Sequence, residues 1–202
     1  MAELVQAAAA VIQERGFEAA TMAEIAARAD AKIGSLYRFF PNKAAVADAL
    51  MERYAEVVQA EYDAIHARAA TAKPEELADA LIDLMMKLRS QMRAAAALLE
   101  SQTDSSPVRQ RFRAQVLAGV KTAVTMRAPD LGDQEADAIA AVVLNNMRTM
   151  VLMARNKAPS SPGAIEELRL MNRLYLAAKL NRTGGARLKR CERYGDREPT
   201  EK

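Results

Sequence analysis

The sequence has few of the residues that build reactive centres and covalent cross-links. Cysteine and histidine occur once each, as Cys191 and His66, and tryptophan is absent. A lone cysteine cannot form an internal disulfide, which is typical of a reducing compartment. One histidine excludes the paired Glu-x-x-His motifs of bundle metal sites, a zinc site and a Cys–His nucleophile with a spare orienting histidine. Neither G-x-x-x-x-G-K-[ST] nor G-x-G-x-x-G occurs, so we expect no enzyme and no cofactor.

Residues that interrupt helices are also scarce. The chain has 8 Gly and 7 Pro among 202 residues, against 43 Ala, and aromatics make up only 4%. Alanine is the best helix former, because it loses no side-chain entropy when a helix forms. Apolar residues account for 50% of the chain, which is ample for a core. The composition therefore predicts an all-α protein of one domain, or one domain and a small module.

Long apolar runs are missing too. The purest apolar stretch, residues 138–144, is seven residues long, whereas a membrane span needs about 20. The chain starts Met-Ala-Glu, which is not the basic segment that opens a signal peptide. We therefore expect a cytoplasmic protein without a membrane partner.

The net charge of +3 comes from the C-terminal segment rather than from a basic domain. From Lys179 onward, eight Lys and Arg face four acids, so this segment carries +4 and the remainder of the chain −1. The apolar pattern stops after Asn181, and we expect residues 183–202 to form a basic, disordered tail. Charge alone therefore gives no argument for nucleic-acid binding.

Helix signals divide the chain into about nine helices, three short ones followed by a larger bundle. Gly16 is placed to cap the first helix at its C-terminus. Thr21 and Glu24 read as a capping box that starts the second. Pro74 and the pair Ser106-Pro107 start later helices.

The short helices indicate a helix-turn-helix unit. Two such helices, joined by a turn of three to four residues and supported by a preceding helix, place the N-terminus of the second helix in a DNA major groove. Within residues 32–40, Leu36 and Phe40 are four apart and face the core. Residues 32–43 contain three bases and no acid, a face that phosphates favour. An ordinary solvated helix face is the alternative.

A family resemblance favours DNA binding. The residues run in the order Gly16-Phe17, Thr21-Met22-Ala23-Glu24-Ile25-Ala26 and Gly34-Ser35-Leu36-Tyr37-Arg38-Phe39-Phe40-Pro41-Asn42-Lys43. This stretch, without a gap, resembles the DNA-binding domain of the tetracycline-repressor (TetR) family. The resemblance implies a helix-turn-helix domain over residues 1–45 and a helical ligand-binding and dimerisation domain over 46–182.

The same resemblance implies a function. It points to a transcriptional regulator, most simply a ligand-released repressor that binds a palindromic operator as a homodimer. The alternative is a helical-bundle interaction protein or small-molecule carrier without DNA readout. The implied DNA-binding residues are Thr21, Lys32, Ile33, Gly34, Ser35, Tyr37, Arg38 and Lys43.

Roles within this set come from the family. Thr21 is expected to cap the second helix and meet a phosphate, and Lys43 to grip a phosphate at the start of the fourth helix. Gly34 and Ser35 are expected at the groove, with Tyr37 on backbone or base. Three positions depart from the family pattern. Lys32 replaces a capping Ser or Thr, and Ile33 offers only apolar contact, for instance to a thymine methyl. Phe39 has no group that could donate a hydrogen bond to a phosphate.

The last two predicted helices have broad apolar faces. A helix that packs only against the core of its own chain needs a single apolar stripe and no broader apolar face. The width predicts a four-helix interface in a homodimer, with completion of the monomer core as the alternative. The residues concerned are Ile139, Val142, Val143, Met147, Met150 and Val151 on one helix and Leu168, Met171, Leu174 and Tyr175 on the other.

The bundle is also expected to bind a small, mostly apolar effector. Methionine adapts to irregular ligands, although most methionines simply pack a core. Tyr62 and Asn146 are candidate polar handles, because buried polar groups need partners. The candidate ligand-binding residues are Tyr62, His66, Met85, Leu88, Met92, Phe112, Asn146 and Met147.

Overall fold

The computed structural model describes residues 1–91, 93–94, 98, 106–155, 158 and 161–181, and these form eight helices and no strand. The predicted all-α class is confirmed. The expected basic tail, residues 183–202, and Met92 lie outside the described residues. The helices are α1 (Ala2–Arg15), α2 (Met22–Arg28), α3 (Ile33–Phe39), α4 (Lys43–Ala69), α5 (Pro74–Gln91), α6 (Pro107–Arg127), α7 (Asp133–Ala154) and α8 (Ala164–Leu180).

Helices α1 to α3 form a small unit around their own core. Its centre is apolar and almost fully buried, with Ile12, Ile25 and Leu36 at 1% exposure or less. Helix α1 packs against α2 and α4, and α2 packs against α3. The four-residue spacing of Leu36 and Phe40 does bring both side chains into the core, as predicted.

Local signals end and begin these helices as predicted. Gly16 caps α1 with a φ of 81°, a left-handed value that favours glycine, and its amide donates to Ile12 O at 2.8 Å. Thr21 Oγ1 accepts from the amide of Glu24 at 3.2 Å, and Glu24 Oε2 accepts from the amide of Thr21 at 3.0 Å. The capping box is thereby confirmed. Each cap fixes where a short helix starts or stops.

Helix α4 joins the three-helix unit to the bundle. It runs unbroken for 27 residues, about 40 Å at 1.5 Å per residue. Asn42 caps its start, with the side-chain oxygen accepting from Ala45 N at 2.9 Å. Helix α4 packs along α6, with contacts from Asp48 to Tyr62. A movement of the bundle against α4 therefore reaches the N-terminal unit directly.

The bundle pairs α4 with α6, α6 with α7, α5 with α8, and α7 with α8. Among the described residues, only α7 is long and apolar enough to cross a membrane by length and composition. Core helices pass the same test, and α7 buries Ile139, Val143 and Met150 among its neighbours. Val142 and Leu152, however, stay 42% and 38% exposed on the outer side of α7 in the single chain.

Candidate nucleic-acid interface

The turn between α2 and α3 has the length of a helix-turn-helix connection. Residues 29–32 separate the two helices. Asp30 takes a positive φ of 49°, a conformation that Asp tolerates better than most residues. The amide of Ala31 then donates back to Ala26 O at 2.9 Å. This closed turn sets the angle at which α3 leaves α2.

Helix α3 has one buried side and one strongly exposed side. Leu36 is fully buried, whereas three large apolar side chains point to solvent: Ile33 is 47% exposed, Tyr37 49% and Phe39 45%. Clustered exposed apolar residues on a short surface helix are typical of a binding surface. Ser35 is half-buried, and Lys32, Gly34 and Arg38 are exposed.

Gly34 has no role in packing the protein itself. A Cβ added there would meet no atom within 4 Å, so the fold leaves room for a larger side chain. Glycine near a helix start also costs backbone entropy compared with alanine. The missing side chain leaves the backbone of α3 uncovered at this position.

The exposed side of α3 carries only positive charge. No acid occurs between Asp30 and Asp48, and Lys32 and Arg38 are both exposed. The Arg38 guanidinium carbon lies 5.3 Å from the centre of the Phe39 ring, which holds the cation at the surface. Such a surface favours phosphate oxygens, because each contact releases condensed counterions.

Thr21 has the capping role that the family resemblance implies. Its hydroxyl donates to Glu24 Oε2 at 2.8 Å as well as accepting from the Glu24 amide. These hydrogen bonds, from the Thr21 side chain first and its backbone second, lower the pKa of Glu24 below its usual value. Glu24 also pairs with Arg15 at 3.0 Å. A phosphate contact by Thr21 stays a prediction.

Lys43 is engaged inside the protein. Its Nζ donates to the carbonyl oxygens of Phe17 at 2.7 Å and Glu18 at 2.8 Å, and lies 4.7 Å from the centre of the Phe17 ring. Two of the three ammonium donors therefore tie the first residue of α4 to the turn between α1 and α2. Sequence reasoning missed this link, because Phe17 and Lys43 are 26 residues apart.

The comparisons with known proteins agree with this geometry. Residues 4–50 match the family model of the bacterial regulatory proteins, tetR family. The N-terminal domain belongs to the TetR family. The match spans α1 to α3 and the start of α4, and it therefore includes the exposed side of α3 described above.

The rest of the chain has the fold of TetR-family transcriptional regulators. A TetR-family regulator from Streptomyces coelicolor is 24% identical over 89% of this chain and 98% of that one, with a TM-score of 0.64. A TerR/AcrR-family regulator from Aquifex aeolicus is 17% identical, with 86% and 98% covered and a TM-score of 0.64. The regulator FadR from Bacillus subtilis, solved with stearoyl-CoA, is 15% identical, with 88% and 97% covered and a TM-score of 0.65. No curated protein matches in sequence.

The predicted effector-binding residues lie mostly in the bundle core. Leu88 and Phe112 are 7% exposed, Met147 is 1% exposed, and Met85 is half-buried beside this core. Tyr62 is buried and its hydroxyl donates to Val116 O at 3.0 Å, while burial raises the pKa of that hydroxyl.

Two further predicted polar residues also have partners in the protein. His66 Nε2 lies 2.9 Å from Gly119 O, and the His66 ring stacks on that of Tyr62 with 5.8 Å between centroids. Asn146 donates to the fully buried Asn172 at 3.2 Å, between α7 and α8. Tyr62 and His66 therefore join α4 to α6, whereas Asn146 joins α7 to α8. In the part of the chain that is described, no group of three His, Cys, Asp or Glu side chains could hold a metal ion.

Proposed function

We propose that this TetR-family regulator is a repressor that binds a palindromic operator as a homodimer and is released by a mostly apolar effector. The observation that carries the proposal is the exposed side of α3, where Gly34, with open space around it, lies among exposed apolar and basic side chains. The role requires neither catalysis nor a cofactor. A protein that acts on operator DNA works in the cytoplasm, beside the chromosome.

Direct readout is assigned to the N-terminal part of α3. Ile33, Gly34 and Tyr37 share its exposed side, which suits contacts to base edges. Lys32 and Arg38 flank them and suit phosphates on either side of the groove. Thr21 and Lys43 lie at the starts of α2 and α4, where they are proposed to approach the backbone of the duplex.

Selection of bound duplexes from random DNA tests the proposal. We expect enrichment of an inverted repeat, with half-sites separated by about one helical turn or a multiple of it. Enrichment of a single asymmetric site, or of no sequence at all, contradicts it. Tyr37→Ala serves as the matched variant, because it removes an exposed side chain from α3 and leaves Leu36 and Phe40 in the core.

The homodimer is proposed from the uncovered apolar surface of α7 and α8. Five large apolar side chains on these two adjacent helices are 38–62% exposed in the single chain. A second copy related by a twofold axis would cover the same patch on both chains, and a palindrome has the matching symmetry. The residues are Val142, Leu152, Leu170, Met171 and Leu174.

Only part of the predicted interface face is available for this contact. Ile139, Val143, Met147 and Met150 are buried within the chain, whereas Val142 and Leu174 are not. We expect Leu174→Glu to shift the protein from dimer to monomer in sedimentation and to abolish binding to the full palindrome. Val57→Glu is the matched control, since Val57 is 37% exposed on α4 and belongs to another surface. A wild-type monomer would contradict the proposal.

The effector is proposed to be mostly apolar, because the residues assigned to it lie in the apolar bundle core. The structurally similar FadR was solved with stearoyl-CoA, which makes that acyl thioester a rational first probe. Calorimetric titration of stearoyl-CoA, with and without the selected operator, measures the coupling. Since linkage is reciprocal, the operator must weaken probe binding by the same factor as the probe weakens operator binding. Equal affinities in both titrations would show that the probe is not a coupled effector.

A further inference from the structure

The first turn of α6 lies against α4 and against the turn between α1 and α2, which are 58 and 92 residues away in sequence. Ser106 caps this helix by accepting from the amide of Val108 at 3.2 Å. The same hydroxyl donates to Asp48 Oδ1 at 2.7 Å, on the second turn of α4. The start of α6 is thus attached to α4 close to the point where α4 joins the three-helix unit formed by α1 to α3.

Arg109, in the first turn of α6, makes the second contact. It is buried, with only 1% of its surface exposed. Its guanidinium carbon lies 5.2 Å from the centre of the Phe17 ring, in the turn between α1 and α2. Lys43 Nζ lies 4.7 Å from the same ring. Phe17 therefore receives one cation from α6 and one from α4.

The rest of α6 is held along α4. Gln115 Nε2 donates to Ala55 O at 3.0 Å and to Gln59 Oε1 at 3.0 Å. One turn later, the Tyr62 hydroxyl donates to Val116 O at 3.0 Å. The beginning of α6 consequently cannot slide along α4 without breaking contacts over several turns.

A buried guanidinium is a costly way to fill space. Moving a cation out of water carries a large desolvation penalty, and an apolar residue of similar volume often packs as stably or better. An aromatic ring attracts a desolvated cation in a directional way, which aliphatic packing does not. The contact with the Phe17 ring therefore gives the Arg109 side chain a preferred orientation at the turn between α1 and α2.

We propose that Arg109 is a positioning residue for DNA binding: through Phe17 it fixes the turn between α1 and α2 relative to α6. The turn continues directly into Thr21, which starts α2, and Lys43 ties the same turn to α4. Arg109 thereby sets the orientation of the three-helix unit, and of α3 within it, relative to α6 and hence to the DNA. This inference rests on the proposed function.

Operator affinity is measured for Arg109→Met and for the matched control Arg111→Met, which removes the same charge from an exposed position on α6. The probe is the duplex that the unsubstituted dimer selects from random DNA. We expect Arg109→Met to weaken binding by about tenfold or more, because the turn that carries Phe17 is then no longer oriented against α6 by the cation–π contact. Arg111→Met stays within about twofold, as expected for an exposed side chain away from the contact.

Two conservative variants and the salt dependence separate positioning from other roles. Phe17→Tyr keeps the ring and retains affinity, whereas Phe17→Leu removes it and behaves like Arg109→Met. The loss in the double variant Phe17→Leu/Arg109→Met is smaller than the sum of the two single losses, because the single variants share the contact between residues 17 and 109. The slope of log affinity against log salt stays unchanged for Arg109→Met, while Lys32→Ala lowers it by about 1, as loss of a phosphate contact does.

Amide hydrogen exchange supplies a readout that needs no DNA. The amide of Ala20 donates to Gly16 O at 3.2 Å within the turn, and we expect Arg109→Met to speed its exchange while amides in α7 and α8 keep theirs. If Arg109→Met does not fold, the comparison of Phe17→Leu with Phe17→Tyr decides the question.

Three outcomes would overturn the positioning role but not the proposed function. They are wild-type affinity in a folded Arg109→Met, additive losses of affinity in the double variant, and unchanged amide exchange at Ala20. Failure of the unsubstituted chain to bind any duplex would overturn the proposed function as well.

Discussion

The ring of Tyr62 lies directly against Gly119. A Cβ built on Gly119 would approach Cδ2 and Cε2 of that ring to 2.6 Å, closer than such atoms come in real proteins. The Tyr62 hydroxyl meanwhile donates to Val116 O on the same helix, which prevents the ring from moving aside freely. Glycine at position 119 is therefore the residue that lets α4 and α6 approach this closely.

We expect Gly119→Ala to destabilise the protein by about 1–3 kcal/mol, as overpacking of a dense core does. Thermal unfolding followed by circular dichroism measures it. Gly132→Ala is the matched control, because a Cβ there meets nothing within 4 Å and its φ of −62° suits any residue. An equal melting temperature for Gly119→Ala and the wild type would show that the Tyr62 ring moves away at no cost.

Gly34→Ala is expected to separate DNA binding from stability. The added methyl group has open space in the free protein and improves helix propensity, so the melting temperature stays the same or rises slightly. On DNA it fills the gap through which the backbone of α3 approaches the groove. Operator affinity measured by fluorescence anisotropy therefore falls about tenfold or more, as for other losses of close fit. Unchanged affinity would place the groove contact elsewhere than Gly34.

Ile33 is expected to read a thymine methyl. It is 47% exposed at the start of α3 and offers no hydrogen bond, so an apolar base edge is its natural partner. Replacing each thymine of the operator in turn by uracil, which lacks the methyl group, should weaken wild-type binding at one position per half-site. Ile33→Ala should bind more weakly and lose this sensitivity. An Ile33→Ala variant that still discriminates thymine from uracil at that position would rule the contact out.

The ion pairs between α5 and α8 make stability depend on acid. Asp79 accepts from Arg173 Nε at 2.8 Å and from Arg169 Nη1 at 3.2 Å. Burial raises the pKa of Asp79, but the hydrogen bonds from Arg173 and Arg169 outweigh it and hold the pKa below its usual value. A carboxylate with a lowered pKa in the folded state stabilises the protein above its unfolded pKa, about 3.9, and loses that contribution as pH falls through the folded value.

Asp79→Asn should accordingly cost up to about 1 kcal/mol at neutral pH, the size expected for partly exposed pairs. The difference from wild type should begin to shrink below about pH 4, where the unfolded carboxyl takes up a proton, and should be lost as pH falls through the lowered folded pKa of Asp79. Urea unfolding at pH 7 and pH 3 measures it, with the exposed Asp130→Asn as control. A difference that persists unchanged at pH 3 would mean that shape rather than charge is responsible.

The local features of this protein follow directly from residues that are close together in the chain. Gly16 ends α1, and Thr21 with Glu24 starts α2, because caps depend on residues three or four apart that meet whenever a helix forms. The spacing of Leu36 and Phe40 likewise chose the buried side of α3, and the exposed side followed from it. These local features are also the ones that carry the family resemblance, so the three-helix unit and the exposed side of α3 could be predicted.

The side chains that hold the helices together could be identified from the packing of the helices alone. Tyr62 and Asn146 were predicted as polar handles for an effector, and each has a hydrogen-bond partner on another helix. The engagement of Lys43 and the burial of Arg109 against Phe17 have no periodic signal either, since they join residues 26 and 92 positions apart. Helical periodicity tells which side of a helix is apolar, but the depth and register of packing between two helices depend on all the side chains between them at once.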